Sequence, residues 1–180
     1  MGNIFFISDT HFGHHNIINF KRKDESKLRP FTDVDEMNQA MIKAWNDKIR
    51  EHDKVYHLGD LALQVKNLDF MKQLKGHKIL IKGNHDKLDL SQYAKHFKDI
   101  RGVDFRYDLG FLLSHVPLHP NHLRRDTLNL HGHLHDSEVM RLDFGREVVD
   151  ERYFNVSVER INYAPIEINE LKEIIRARFD

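Results

Sequence analysis

The chain contains no cysteine, and this absence excludes disulfide bonds and thiolate metal sites. It also lacks an excess of either charge, because 28 Lys and Arg residues stand against 28 Asp and Glu residues. A balanced charge provides no general attraction to nucleic acids or to anionic membranes. We therefore expect neither a stable nucleic-acid complex nor a membrane partner, and any bound metal must have nitrogen and oxygen ligands.

Long apolar runs are absent as well. A membrane-spanning helix needs about 20 apolar residues, whereas the apolar run near the N-terminus, Ile4–Ile7, is soon followed by Asp9. This run is also too short for a secretory signal, so we expect a cytoplasmic protein. The length of 180 residues is typical of one compact domain, and we predict a single domain over residues 1–180. The pattern leaves the oligomeric state open, and a homo-oligomer is compatible with it.

Short apolar runs that are rich in β-branched and aromatic residues predict five buried strands. They are Asn3–Ser8, Lys54–Leu58, Lys78–Ile81, Phe111–Ser114 and Leu128–His131. Apolar spacing of three and four predicts helices at Asp33–Ile49, Leu68–Leu74 and Leu171–Phe179. Thr32 and Asp35 are placed as a capping box for the first of these helices. The alternation predicts an α/β domain, and the strand-rich stretches Ile100–Tyr107 and Arg141–Val158 favour a mixed sheet or two stacked sheets.

Each of the five predicted strands is followed at once by a side chain that can bind a metal ion. The clusters are Asp9-Thr10-His11, Gly59-Asp60, Gly83-Asn84-His85-Asp86, His115 and Gly132-His133-Leu134-His135. In open α/β sheets, ligands bind beyond the carboxyl ends of the strands, and the glycines permit sharp turns and close approach. Each cluster alone is also typical of a turn or of an ordinary core residue. Their joint occurrence in this order favours a polyvalent metal site.

This series of clusters resembles the calcineurin-like metallophosphoesterase superfamily, in particular its small single-domain bacterial and phage members. The resemblance covers Ile4 through His135, and all five blocks are intact. It implies a four-layer α/β/β/α sandwich with two central mixed β-sheets. It further implies two divalent metal ions with Asp60 as the bridging ligand, one held by Asp9, His11, Asp60 and His135 and the other by Asp60, Asn84, His115 and His133.

The activity implied by the resemblance is hydrolysis of a phosphoester by in-line attack of a hydroxide that bridges the two metal ions. Imidazole, carboxylate and amide ligands suit Mn²⁺, Fe, Ni²⁺, Co²⁺ or Zn²⁺, and analogy with the family favours Mn²⁺. His85 is expected to be the general acid that protonates the leaving group. Asp60 and Asp86 complete the predicted catalytic set, with Asp86 orienting His85 or supporting the metal ligands.

The expected substrate is a small or nucleotide-type phosphodiester, because the small form resembles family members that act on nucleotide-like or model diesters, and because the chain offers no separate cap domain to close over a monoester. Asn84, His14 and Arg29 are candidates for substrate contact, as is His119 in the loop Val116–Thr127. Polar residues of this kind are equally typical of solvated loops.

Two alternatives stay open: a phosphomonoesterase, and a non-catalytic scaffold that keeps the fold for protein binding. Such scaffolds typically lose the general acid or a metal ligand, whereas this chain keeps all of them. The metallo-β-lactamase pattern His-x-His-x-Asp-His is not met, because Asp136 falls one place late after His131-x-His133.

Overall fold

The structure is a computed structural model and describes residues 2–178. Its first β-sheet has five strands, of which four run parallel and one edge strand pairs antiparallel with its neighbour. The order across the sheet is β11 (Ile166–Glu167), β1 (Ile4–Ile7), β2 (Lys54–His57), β3 (His77–Ile81) and β4 (Asp99–Arg101). The three predicted strands in this part of the chain are thus confirmed, and each of their bounds differs by at most one residue.

The second sheet has four strands, in which three parallel strands are followed by one antiparallel edge strand. Their order is β10 (Tyr153–Asn155), β7 (Leu128–His131), β6 (Phe111–Ser114) and β5 (Val103–Arg106). A separate antiparallel hairpin consists of β8 (Met140–Asp143) and β9 (Arg146–Val149). The late part of the chain is therefore rich in strands, as predicted.

The alternation of side chains along β1 shows how the sheets are buried on both faces. Phe5 and Ile7 belong to a core shared with the first helix, whereas Phe6 belongs to the core between the two sheets. The Phe6 ring stacks on Tyr56 of β2 at 5.6 Å and meets Phe111 of β6 edge-on at 5.8 Å. These contacts join the two sheets face to face, so their strand ends lie near each other.

The helices are α1 (Val34–Lys48), α2 (Leu90–Tyr93) and α3 (Ile168–Arg176). The predicted capping box is wrong by one position: Asp33 is the N-cap and accepts from the backbone N–H of Asp35 and Glu36, while Glu36 accepts from Thr32 N–H. The helix predicted at Leu68–Leu74 is present as a 3₁₀-helix instead of an α-helix, and it spans Val65–Gln73. The last helix begins at Ile168, three residues before the predicted start, and ends at Arg176. Phe179, the predicted end, lies outside the described residues.

Two stacked mixed sheets with helices outside them confirm the predicted fold class. On its outer face, the second sheet is held by the loop 116–127, in which Leu118 N–H donates to Asn129 Oδ1 at 2.8 Å and Tyr153 donates to Leu118 O at 2.6 Å. This loop contains a short 3₁₀-helix, Pro120–His122. Within residues 2–178, no helix combines the length and apolar character needed to cross a bilayer.

Candidate metal centre

The five clusters of metal-competent side chains follow the carboxyl ends of parallel strands in both sheets. Asp9, Asp60 and Asn84 come after β1, β2 and β3, and His115 and His133 come after β6 and β7. Because parallel strands end at one edge of a sheet, and the two sheets are stacked, these ends face a common space. The structure therefore brings together all seven side chains that the sequence predicted as metal ligands.

One half of the centre contains Asp9, His11 and His135, each of which offers a ligand atom within 4.8 Å of the others. His11 Nε2 lies 3.9 Å from Asp9 Oδ1, and the rings of His11 and His135 stack at 5.4 Å. Asp9 and His11 are buried, whereas His135 is half-buried. These groups are close enough to share one ion.

The other half contains Asp60, Asn84, His115 and His133. His115 Nε2 lies 3.4 Å from Asp60 Oδ2, and Asn84 Oδ1 lies 2.8 Å from His115 Nε2 and 3.0 Å from His133 Nδ1. The same Asp60 oxygen lies 3.7 Å from His11 Nε2. Asp60 thus stands between the two halves, the position that a bridging carboxylate requires.

Several buried polar atoms of the centre have no partner among the described residues, namely Asp9 Oδ1 and both ring nitrogens of His11. Leaving a buried polar atom unpaired is costly, so such atoms call for an explanation. Carboxylate, imidazole and amide donors aimed at one space fit divalent cations that accept nitrogen and oxygen ligands. The donor set and the unpaired atoms therefore fit the expected pair of metal ions.

The hydrogen bonds of two histidines fix which ring nitrogen faces the centre. His115 Nδ1 lies 2.8 Å from Leu58 O, and His135 Nδ1 lies 3.0 Å from Glu159 Oε1. Both oxygens accept from Nδ1–H, so each ring presents the Nε2 lone pair for metal binding.

Charge and burial favour the metal-binding form of two of the candidate ligands, His11 and Asp60. Burial, and next the charge of Arg29, lower the pKa of His11 well below its usual range, so the ring is neutral. Burial opposes ionisation of Asp60, but hydrogen bonding and charge from His115 outweigh it and lower the pKa of Asp60 to about 2. A neutral imidazole and an ionised carboxylate are the forms that bind metal.

Arg29 was predicted to contact substrate, but the structure places it behind the centre with its side chain fully buried. It donates to Asp9 O at 2.6 Å, to Thr10 O at 2.9 Å and from Nε to Glu159 Oε1 at 2.8 Å. Arg29 cannot reach a bound substrate from this position, so that expectation does not fit the structure. Its contacts instead hold the Asp9–His11 loop in place.

Asp86 is likewise buried, and both of its oxygens are occupied by the backbone. Its carboxylate accepts from the N–H groups of Asp60 at 2.9 Å, Gly83 at 2.8 Å and Leu61 at 3.0 Å. These bonds tie the loops after β2 and β3 together. The location supports a positioning role and offers Asp86 no direct access to substrate.

The remaining predicted site residues lie at the mouth of the centre or outside it. Asn84 and His85 are exposed, and the His85 ring lies 5.9 Å from the His11 ring. His14 is half-buried, with its ring 5.7 Å from that of His11. His119 is exposed at the start of the 3₁₀-helix Pro120–His122, where its Nδ1 accepts from Asn121 N–H. Substrate contact by Asn84, His14 or His119 stays a prediction.

Glu159 is a residue of this site that the sequence did not reveal. Its side chain is fully buried between Arg29 and His135, with Oε1 2.7 Å from Arg29 Nη2. Burial opposes its ionisation, but the Arg29 charge and the His135 hydrogen bond together lower the pKa of Glu159. A metal-ligating histidine commonly donates to such a carboxylate. No local signal marks it, because Glu159 lies beyond the last cluster and outside the predicted strands.

Comparison with known proteins agrees with this geometry. The family model of the calcineurin-like phosphoesterase superfamily domain matches residues 3–155. The fold and the metal centre thus define the class, and the chain belongs to the calcineurin-like phosphoesterase superfamily, whose members are metal-dependent phosphoesterases.

Individual relatives show the same likeness over most of their length. The uncharacterized protein MJ1445 of Methanocaldococcus jannaschii is 36% identical over 179 residues, which cover 97% of this chain and 92% of the relative. The gene 66 protein of Mycobacterium phage L5 is 27% identical, covering 78% and 81% of the two chains. The crystal structure of a protein of unknown function, AQ665 from Aquifex aeolicus, matches with a TM-score of 0.73 at 27% identity, covering 97% of this chain and 100% of that one.

Substituting Gly132 tests how closely the two sheets approach at the centre. A Cβ at Gly132 would lie against Ser8 Oγ and Asp9 Oδ2, so we expect Gly132→Ala to lower the free energy of unfolding by about 1–3 kcal/mol and to weaken metal binding. Gly102 is the control, since a Cβ there meets no atom within 4 Å, and Gly102→Ala should change stability by less than about 0.5 kcal/mol. Equal unfolding curves and equal metal content for the two variants would contradict the expectation.

Glu159→Gln tests the support of His135. The variant keeps the side-chain shape but removes the charge that holds His135 and Arg29, so we expect Mn²⁺ affinity to fall by roughly 10–100-fold. Isothermal titration calorimetry measures this directly, without reference to turnover. Glu147→Gln, at an exposed position in the hairpin, is the matched control and should bind Mn²⁺ like the wild type. An unchanged affinity in a folded Glu159→Gln variant would remove the positioning role.

Proposed function

We propose that this member of the superfamily is a dinuclear metal-dependent phosphodiesterase that hydrolyses a small or nucleotide-type phosphodiester. The observation that carries the proposal is the convergence of seven ligand side chains with an exposed histidine, His85, at their edge. A non-catalytic scaffold would not need both the seven candidate ligands and His85.

In this proposal, Asp9, His11, Asp60 and His135 would hold one divalent ion, and Asp60, Asn84, His115 and His133 would hold a second. Asp60 would then be a ligand common to both. Mn²⁺ is the proposed ion, although Fe, Ni²⁺, Co²⁺ and Zn²⁺ suit the same donors. When bound, such an ion pair lowers the pKa of water and neutralises the phosphate oxygens as charge builds in the transition state.

His85 supplies the proton that the leaving group needs. Its backbone N–H donates to Asp60 Oδ1 at 2.8 Å, so the position of the residue is fixed by the carboxylate at the middle of the centre. Its exposed side chain lies over the same space as His11. A protonated imidazole here is positioned to donate to the oxygen that leaves phosphorus.

The exposure of the site residues indicates the side from which a substrate would approach. Asn84 and His133 are exposed, while Asp9, Asp60 and His115 are buried. A phosphate group would therefore approach from the side of Asn84, His85 and His133. The exposure of Asn84, His85 and His133 supports a diester, which has a substituent on each side of phosphorus.

The experiment that tests the proposal is a metal-reconstituted activity screen. We expect the protein to bind two equivalents of Mn²⁺ by elemental analysis, and to hydrolyse diesters such as cyclic nucleotides, linear dinucleotides or aryl diesters faster than matched monoesters. Asp60→Asn should lose both bound metal and turnover. A clear monoester preference would replace the proposal with a phosphomonoesterase, and metal binding without any turnover would favour a scaffold.

His85→Ala tests the general acid. We expect kcat on an unactivated diester with an alkoxide leaving group to fall by about 10²–10⁴-fold, with bound metal unchanged. On an activated aryl diester the loss should be much smaller, because that leaving group needs little protonation. His77, exposed at the opposite end of the same strand β3, provides the control variant His77→Ala with wild-type rates. Equal losses on both substrates would rule out proton donation by His85.

A further inference from the structure

A cleft of about 250 Å³ opens directly beside the metal centre. Its lining residues are His11, His14, Ile17, Phe20, Leu63, His85 and His135. Three of these, His11, His85 and His135, belong to the centre described above, so one wall of the cleft is the catalytic site itself. A substituent on a phosphorus bound at the centre would therefore extend into this cleft.

The opposite wall is apolar. Ile17 is buried at 1% exposure, whereas Phe20 and Leu63 keep 46% and 38% of their surface open to solvent. The Phe20 ring stands edge-on to the His14 ring at 5.9 Å, so Phe20 and His14 together present ring surfaces to the cleft. Single exposed apolar residues are ordinary, but apolar side chains gathered around a catalytic wall are characteristic of ligand sites.

The charge of the cleft restricts its occupant. Among the described residues that line it, none is Lys, Arg, Asp or Glu. A leaving group with a further phosphate would bring negative charge here without a cationic side chain to receive it. The volume also falls below the roughly 300–1,000 Å³ of pockets that enclose a whole drug-sized ligand. The cleft suits one uncharged, ring-bearing group.

We propose that this cleft binds the leaving group of the phosphodiester, and that the group is an uncharged alcohol with an aromatic ring, such as a nucleoside, packed against Phe20, Leu63 and Ile17. The proposal rests on the proposed function. His85 lines the same cleft, and the oxygen that it protonates must lie within reach of its ring, so the leaving group extends from that oxygen toward Phe20. Aromatic side chains stack on nucleobases without regard to base identity.

The reaction would then proceed with a defined polarity along the substrate. Water supplies the oxygen that forms the new bond to phosphorus, and the P–O bond to the alcohol in the cleft breaks with its electron pair staying on the alcohol oxygen. His85 donates a proton to that oxygen, and the proton lost by water restores His85. The products are the free aromatic alcohol and a phosphomonoester of the other substituent.

One substrate with two competing ester bonds measures this polarity directly. In the methyl ester of thymidine 5′-phosphate, cleavage releases either thymidine with methyl phosphate or methanol with thymidine 5′-phosphate. Both leaving groups are primary alkoxides of similar basicity, so the ratio reports binding in the cleft. We expect the wild type to release thymidine about tenfold more often than methanol, as measured by ³¹P NMR of the two monoesters.

Variants of the apolar wall should change this ratio. We expect Phe20→Ala to bring it close to one, while Phe20→Trp keeps it. Phe105→Ala is the matched control, since Phe105 is 51% exposed on β5 and outside the residues that line the cleft, and its ratio should equal that of the wild type. Predominant release of methanol, or a ratio unaffected by Phe20→Ala, would overturn the inference while leaving the proposed function intact.

Binding without turnover separates the two proposals. With methyl-labelled full chain and no added metal, thymidine should shift the signals of Ile17 and Leu63, with a Kd about tenfold weaker in Phe20→Ala. If these shifts appear but no diester is hydrolysed, the proposed function fails and the cleft remains a site for aromatic alcohols. If thymidine up to its solubility limit shifts neither signal, the inference fails whatever the catalytic result.

Discussion

The rest of this structure depends on one constraint. Several nitrogen lone pairs and carboxylate oxygens must be held close together in a largely buried space. Asp9 and Asp60 bring negative charge, and His11, His115 and His135 bring ring nitrogens, all aimed inward. Without a cation, such a group would repel itself and leave buried atoms unpaired. The surrounding chain therefore holds the ligands in place against this repulsion. The free energy of metal binding would offset the unfavourable free energy of bringing these groups together.

The backbone at the ligands shows how tightly they are held. Five of the seven candidate ligands, Asp9, His11, Asp60, His133 and His135, have positive φ between 49° and 69°. A non-glycine residue in this region costs of order 1–3 kcal/mol unless its surroundings enforce it, although Asp and His tolerate it better than most. The enforcing groups are local: Asp86 binds three backbone N–H groups, Arg29 binds two carbonyls, and Gly83 and Gly132 let neighbouring loops approach closely. Backbone strain is thus concentrated at the candidate metal centre.

The sequence predicted the strands, and it predicted that the seven candidate ligands follow strand ends that meet, because both features leave local signals. An apolar run followed at once by a polar cluster marks a strand end, and strand ends of stacked parallel sheets must meet. It could not predict Glu159, since the partner of His135 is selected by packing across 24 residues of chain, and the partner of Arg29 across 130. In the sequence, Arg29 has the features of a loop residue. Only the burial of its side chain in the structure indicates a structural role. The helix start was wrong by one position because Thr32, Asp33 and Asp35 offer similar capping chemistry.

The centre has a buried side and an exposed side, and this division indicates which residues can differ among members of the superfamily. Asp9, Asp60 and His115 are buried and tied to neighbouring strands, whereas the cleft beside them is built by Ile17, Phe20 and Leu63, which belong to connecting segments outside the five clusters. Changes at these positions would leave the metal ligands in place, because no ligand hydrogen bond depends on an apolar side chain. The residues that line the cleft are thus free to change while the metal centre is retained, which lets one fold and one centre serve different substrates.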